Sequence, residues 1–514
     1  MASGFPLLTA LIVLPLVGAA VVWALPSSVR THVRLVALGF ALAELLLGVG
    51  ALLAFDTADS ATHQLTEVQP WIPTFGVSYA VGVDGVGLSL VLLSVLLVPL
   101  VVLAAWREQG GDTGRLRHYL ALVLVLETFM VAVFAARDVF LFYVLFEAML
   151  IPVYFMIGAF GGAHRRYAAV KFLLFSLAGG LIMLVGVIAL YLQGPGGADG
   201  FLVDNLTGLE LPVATERWLF VAFFVAFAIK APMFPVHTWL PDAAEQAPAG
   251  TSTLLVGVLD KVGTFGMLTL CLPLFPNASR WAAPVVIVLA VVSILYGALL
   301  AIGQKDLMRL IAYTSVSHFG FIVLGIFAFT STAVSGSSFY MVNHGLSTGA
   351  LFLLAGFLVA RRGSQQIADF GGLQRVTPVL AGTFLVVGLS ALSLPGLSTF
   401  VSEFLVLVGT FARNEPAAIV SVVAVVLAAL YVLLTYQRVF TGPVRDELAA
   451  APDLSGRERW VVAPLIGLML VLGFYPAPAL DLVREPAVTT VDQVGVRDLP
   501  TTTTAVATDE GSDK

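Results

Sequence analysis

The chain has 514 residues, 59% of them hydrophobic and 11% charged, with a mean hydropathy of +0.97. Soluble domains carry roughly 25% charged residues, so this composition excludes an ordinary soluble fold and indicates a polytopic membrane protein. A net charge of −6 gives no reason to expect a nucleic-acid partner, and the single cysteine, Cys271, excludes an internal disulfide and a thiolate metal cluster.

A spanning helix needs ~20 apolar residues. Such stretches start near residues 5, 32, 83, 116, 138, 167, 217, 251, 281, 305, 337, 377, 415 and 459, which predicts an all-α fold of fourteen transmembrane helices. The first stretch has no basic leader and no clear cleavage site, so a retained span is expected. Residues 56–80 end in an alternating pattern that suits a strand or hairpin on the outer face. Residues 193–216, rich in Gly, Pro and Asp, read as an outer loop. From 484 onward few large apolar residues, a threonine run and an acidic end predict a disordered tail. The expected organisation is a three-helix segment at 1–115, five-helix repeats at 116–275 and 281–440, a last span at 459–480 and the tail at 484–514.

Basic residues are distributed unevenly between alternate loops. One side receives Arg30, Arg34, Arg107, Arg115, Arg117, Arg165, Arg166, Lys171, Lys305, Arg309, Arg361, Arg362, Arg375, Arg438, Arg445, Arg457 and Arg459; the other holds only Arg137, Arg217, Arg280 and Arg413. The positive-inside rule then places both termini outside the cytoplasm of a bacterial plasma membrane, which agrees with an even number of spans.

Ionisable residues within these stretches are the candidate site, because a charge at bilayer depth is costly and by default marks an ion or proton path. Glu127 is the only charge in ALVLVLETFMVAVF and faces either such a path or a neighbouring chain. Glu147 lies about nine residues into its span, near the middle of a ~30 Å core at ~1.5 Å per residue. Lys230 is the only charge in WLFVAFFVAFAIKA, and Pro232 and Pro235 behind it break the helix. Lys261 lies at a similar depth in its own span, beside Asp260, whose side chain points about 100° away and need not pair with it.

Pro395 and Gly396 interrupt a second stretch, LSALSLPGLSTFVSEFL. Glu403 behind them is either the carboxylate of this half or a helix-start acid near Thr399 and Ser402. Interrupted spans seven and twelve, five apart, fit inverted repeats of spans four to eight and nine to thirteen; two ordinary proline kinks are the alternative. His237, His318 and His344 also fall at apolar depth and titrate near neutrality. With Tyr313, Thr314, Ser315 and Ser317 they make a candidate proton relay. Glu147 and Lys230, if adjacent, form a pair whose ionisation responds to a proton on Lys261; a static ion pair is the plainer reading. No GxGxxG, Walker, CxxC or HExxH pattern occurs, so no cofactor or metal is expected in this chain.

The runs FYVLFEAMLIPVYFMIG, AFAIKAPMFPVHTWLPDAAEQAPAGTS, DLMRLIAYTSVSHFGFIVLGIF with NHGLSTGALFLLAG, and LPGLSTFVSEFL resemble the antiporter-like membrane subunits of respiratory complex I, over about residues 80–478. The resemblance implies fourteen helices with two inverted five-helix repeats and proton movement without a cofactor in this chain. It likens Glu147 to the family's fifth-helix glutamate, Lys230 to its seventh-helix lysine, Lys261 to its eighth-helix lysine and Glu403 to the acid of the second broken helix. His237, His318 and His344 correspond to histidines of the central hydrophilic axis. Glu403, and an end after fourteen spans, set the chain apart from L- and N-type members, which are its expected neighbours. Ala244 stands where the family often has histidine, and Asp260 is unusual beside the lysine. The implied function is proton translocation within NADH:quinone oxidoreductase, driven by quinone reduction, with FMN, iron-sulfur clusters and quinone in partner subunits. A multi-subunit sodium/proton antiporter and a structural spacer are the alternatives.

Overall fold

The computed structural model describes residues 5–26, 32–107 and 113–498. Arg30 and the end of the tail, from 499, lie outside the described residues. Helices α1 (Leu7–Ala24) and α2 (Val33–Ala54) lead to a hairpin of β1 (Gln64–Ile72) and β2 (Val77–Val83), antiparallel as one reading of the alternating pattern expected. Glu67 of β1 accepts from the backbone N–H groups of Leu8 and Thr9, so the strand satisfies the exposed donors at the start of α1. There follow α3 (Gly85–Ala104), α4 (Thr113–Ala135), α5 (Val139–Phe160), α6 (Arg165–Gln193), α7 (Val213–Lys230), α8 (Trp239–Gln246), α9 (Ala249–Leu274) and α10 (Pro276–Gly303). The chain continues through α11 (Leu307–Phe327), α12 (Ser331–Arg362), α13 (Pro378–Ala391), α14 (Ser398–Phe411), α15 (Glu415–Phe440), α16 (Gly456–Phe474) and α17 (Ala477–Gln493).

Among the described residues, eleven helices are long and apolar enough to cross a membrane, or twelve if α16 and α17, bent by 69°, count as one span. Helix α7 carries Glu216, Arg217 and Lys230, while α13 and α14 are short. Burial sorts the bundle. In their most apolar windows α9 and α11 are 94% buried and α12 is 83% buried, whereas α2 is 28% and α6 and α15 are 39% buried. Asp260 and Lys261 of α9, His318 of α11 and His344 of α12 are therefore enclosed by protein, and the outer helices carry the lipid-facing surface.

The chain leaves the helix at Lys230, where Pro232 and Pro235 supply no N–H; Met233 instead donates to the Ala228 carbonyl. Between α13 and α14, Gly396 adopts φ +91°, and a Cβ on Gly473 of α16 would lie 2.4 Å from its carbonyl. Glycine is needed at both positions, once for conformation and once for close approach.

Disorder from 484 onward does not hold for 484–493, which form the second half of α17. Leu480, Val483, Ala487 and Val491 recur at helical spacing and are buried, with α17 packing on α12 and α3. Glu485 also accepts from the Ser60 N–H at 2.8 Å. The charged and threonine-rich composition hid this apolar stripe.

Candidate functional site

Lys230 is fully buried at the last turn of α7, and its ammonium has no hydrogen-bond partner. It lies 4.9 Å from the ring centre of Phe146 and 5.8 Å from that of Phe172, contacts that partly replace lost hydration. The Glu147 carboxylate of α5 acts electrostatically on Lys230, yet no ion pair joins them and Glu147 Oε1 is unpartnered. Gly180 of α6 makes room for that carboxylate: a Cβ there would lie 1.7 Å from Glu147 Oε1. Gly180 was not legible as a functional residue, although a Gly179–Gly180 pair inside an apolar helix was a signal of close approach.

Helix α9 contains two wide π turns, Leu255–Leu259 and Met267–Cys271, on either side of Lys261. Such turns redirect backbone groups and recur at functional sites. Here the Val256 carbonyl accepts from Lys261 Nζ at 2.5 Å, and the same nitrogen lies 2.6 Å from His344 Nδ1. Either the ammonium donates to a bare Nδ1, or a neutral amine accepts from Nδ1–H, so one proton serves both nitrogens. Asp260 is fully buried and neither carboxylate oxygen has a partner.

From His344 the polar groups continue. Its ring centre is 5.3 Å from that of His318 on α11, and His318 Nε2 is 3.3 Å from the Tyr431 hydroxyl of α15. The His318 ring also lies 6.0 Å from Tyr340, whose hydroxyl donates to Glu403 Oε2 at 2.8 Å. Ser393, in the α13–α14 break, donates to the same oxygen at 2.6 Å. Glu403 thus binds side chains of other segments, and the start of α14 is held separately by Asn343, which donates to the Ser398 carbonyl at 3.0 Å. Tyr340 and Tyr431 are contributors that sequence reasoning missed. Tyr340 lies four residues before His344 and so on the same helix face, which was the available signal.

His344 and His318 lie between Lys261 and Glu403, with His344 Nε2 and His318 Nδ1 lacking hydrogen-bond partners, and the third histidine stands apart. His237 lies within the first break, between α7 and α8, among the rings of Phe234, Tyr296 and Tyr313, and neither ring nitrogen has a hydrogen-bond partner. The hydroxyls of Thr314 and Ser315 bond to the Ile311 carbonyl and that of Ser317 to Ile294, so none of the three bonds to a histidine. Glu127 is coupled electrostatically to Glu44 of α2, another fully buried and unpartnered carboxylate. Asp242 of α8 receives Lys171 at 2.6 Å and Arg309 at 2.5 Å, tying the first break to α6 and α11. Among the described residues no group of three or more His, Cys, Asp or Glu could hold a metal ion.

The family model for the transmembrane region of NADH:quinone oxidoreductase and Mrp antiporters matches residues 136–428, more than half of the chain and the stretch from Glu147 to Glu403. The chain belongs to that family. A relative in Mycobacterium tuberculosis, NADH-quinone oxidoreductase subunit M, is 48% identical, with 96% of each chain covered. The protein of the same name in Rhodobacter capsulatus is 38% identical, covering 98% of this chain and 99% of the relative. A chain of respiratory complex I from Thermus thermophilus superposes with a TM-score of 0.86 at 32% identity, covering 95% of this chain and 100% of that one. A chain of the Mrp complex from Dietzia matches with a TM-score of 0.83 at 22% identity, over 95% and 99% of the two chains, a likeness of fold alone.

Proposed function

We propose that this chain translocates protons across a bacterial inner membrane as a subunit of NADH:quinone oxidoreductase. The observation that carries the reading is the 2.6 Å contact between Lys261 and His344, continued through His318 and Tyr340 to Glu403 inside the most buried helices. Glu147 and Lys230 set the charge at one end, Lys261 holds the transferable proton, His344 and His318 relay it, and Glu403 receives it. His237, within the first break, serves proton entry or exit there. The chain itself carries no redox centre. FMN, iron-sulfur clusters and quinone reside in partner subunits, and the L-type and N-type antiporter-like subunits are its neighbours.

Adding α7 with α8, α13 with α14, and α16 to the eleven long helices makes fourteen spans, with spans seven and twelve broken and both termini on the outer side. The inverted repeats are then spans four to eight and nine to thirteen. A sodium/proton antiporter subunit would share the fold, but the 48% identity is to a NADH-quinone oxidoreductase subunit. In sealed vesicles holding the assembled complex, Glu147→Gln or Lys230→Ala should lower the protons pumped per NADH oxidised. Full pumping by either variant refutes the reading.

A further inference from the structure

Asp260 is a fully buried carboxylate with both oxygens unpartnered, on a helix where its neighbour Lys261 already has two partners of its own. Burial of an unpartnered acid is unfavourable, so its placement needs a reason. Consecutive side chains on a helix diverge by about 100°. Lys261 takes the direction of α12 and reaches His344. Asp260 shares a face with Gly263, three residues on, and Gly263 is pressed against the end of α7: a Cβ there would lie 2.5 Å from the Phe227 carbonyl oxygen and 2.6 Å from the Ala231 nitrogen. That face meets the turn that carries Lys230. Three buried polar groups without partners, Glu147 Oε1, Lys230 Nζ and the Asp260 carboxylate, are thus gathered from α5, α7 and α9. Lys230 is acted on by the charges of both acids, and Asp260 by those of both lysines.

We propose that Asp260 is a second counter-ion for Lys230, so that the ammonium alternates between Glu147 on α5 and Asp260 on α9. The inference rests on the proton-translocating reading and deepens it. With Lys230 turned toward Glu147, the Asp260 carboxylate is left to Lys261 and keeps that lysine protonated. With Lys230 turned toward Asp260, the carboxylate is neutralised and Lys261 loses its support. The Lys261 proton then passes from Nζ to His344 Nδ1, leaving a neutral amine and an imidazolium that hands a proton on toward His318. Return of Lys230 to Glu147 frees Asp260 to favour reprotonation of Lys261. Adjacent residues on one helix thereby connect the Glu147–Lys230 half of the site to the His344–Glu403 half.

The test compares Asp260→Asn, Asp260→Glu, Lys230→Ala and the double variant Asp260→Asn with Lys230→Ala, each in the assembled complex in sealed membrane vesicles. The readout is protons pumped per NADH oxidised, with vesicles matched for the amount of complex. Asp260→Ser, also neutral and smaller, replaces the Asn variant if that one is not found in the membrane. The expected result is a loss for Asp260→Asn as large as for Lys230→Ala, no further loss in the double variant, and recovery of pumping in Asp260→Glu. Full pumping by the neutral variant alongside loss in Lys230→Ala overturns the role of Asp260 and leaves the translocation reading standing. Full pumping in both overturns the two together. Equal loss in Asp260→Glu and Asp260→Asn also overturns the proposal, because the charge would then not be the property that matters.

Discussion

Lys261 Nζ and His344 Nδ1 approach to 2.6 Å across the interface of α9 and α12, within the most enclosed part of the bundle. The contact places a proton donor and acceptor within reach without intervening solvent. His344→Leu removes the acceptor and leaves Lys261 with the Val256 carbonyl. The expected outcome is loss of pumping per NADH oxidised in vesicles, with the complex still recovered from the membrane.

Gly180→Ala tests the seat of Glu147 without altering a charge. The added methyl would lie 1.7 Å from Oε1, so the carboxylate must move away from its present place. Gly179→Ala is the control for crowding of α6 against α7, since a Cβ there meets the Ile229 side chain at 3.0 Å and the Ala226 backbone at 3.2 Å but not Glu147. Overpacking in a tight core costs roughly 1–3 kcal/mol. Pumping is expected to fall well below the control in Gly180→Ala, measured at matched amounts of complex.

Tyr340→Phe removes one of the two hydroxyls that donate to Glu403 Oε2, while Ser393 remains. That hydroxyl stands between the His318 ring and Glu403, so its loss interrupts the route and proton transfer to Glu403 should slow. Tyr340→Phe with Ser393→Ala should be more severe than either single change. Initial rates of proton uptake compare the three variants.

Asp453, in the loop before α16, tests acid stability away from the membrane-spanning segments. Its carboxylate accepts from the Val379 and Leu380 N–H groups at 2.8 and 2.9 Å, at the exposed start of α13. Burial alone would raise its pKa. Backbone bonds from Val379, Leu380 and Leu454, with the charge of Arg459, outweigh that and hold the carboxyl below its ordinary value. A lowered folded pKa stabilises above the unfolded value of ~3.9, and this stabilisation is lost as pH falls through the folded value. Asp453→Ala is expected to cost about 0.5–2 kcal/mol at neutral pH, as loss of a helix-capping acceptor does, and to show a smaller drop in thermal stability below pH ~4. Melting curves in detergent across that range measure both effects.

Charges in apolar runs were legible in the sequence because a bilayer tolerates few of them: Glu147 and Lys261 stood out for that reason, and Lys230 and Glu403 for the helix breaks beside them as well. Their partners did not stand out. Which tyrosine reaches His318, which glycine admits Glu147, and that the charge of Glu44 acts on Glu127 depend on how helices distant in sequence pack, and spacing along one helix cannot set that. The hairpin was legible as one of two readings from its alternation. Residues 484–493 were misread because composition was weighed ahead of the apolar positions 480, 483, 487 and 491. The separation of His237 from the other histidines was equally invisible, since all three occupy similar apolar surroundings in sequence.

The most direct measurement of the central claim is proton pumping by the assembled complex carrying Lys261→Ala, in sealed vesicles and normalised to NADH oxidised. The expected result is fewer protons moved per NADH than by the unmodified complex, because the buried donor to His344 is gone. An unchanged ratio would contradict the account, since protons would then cross without the residue on which the whole path turns.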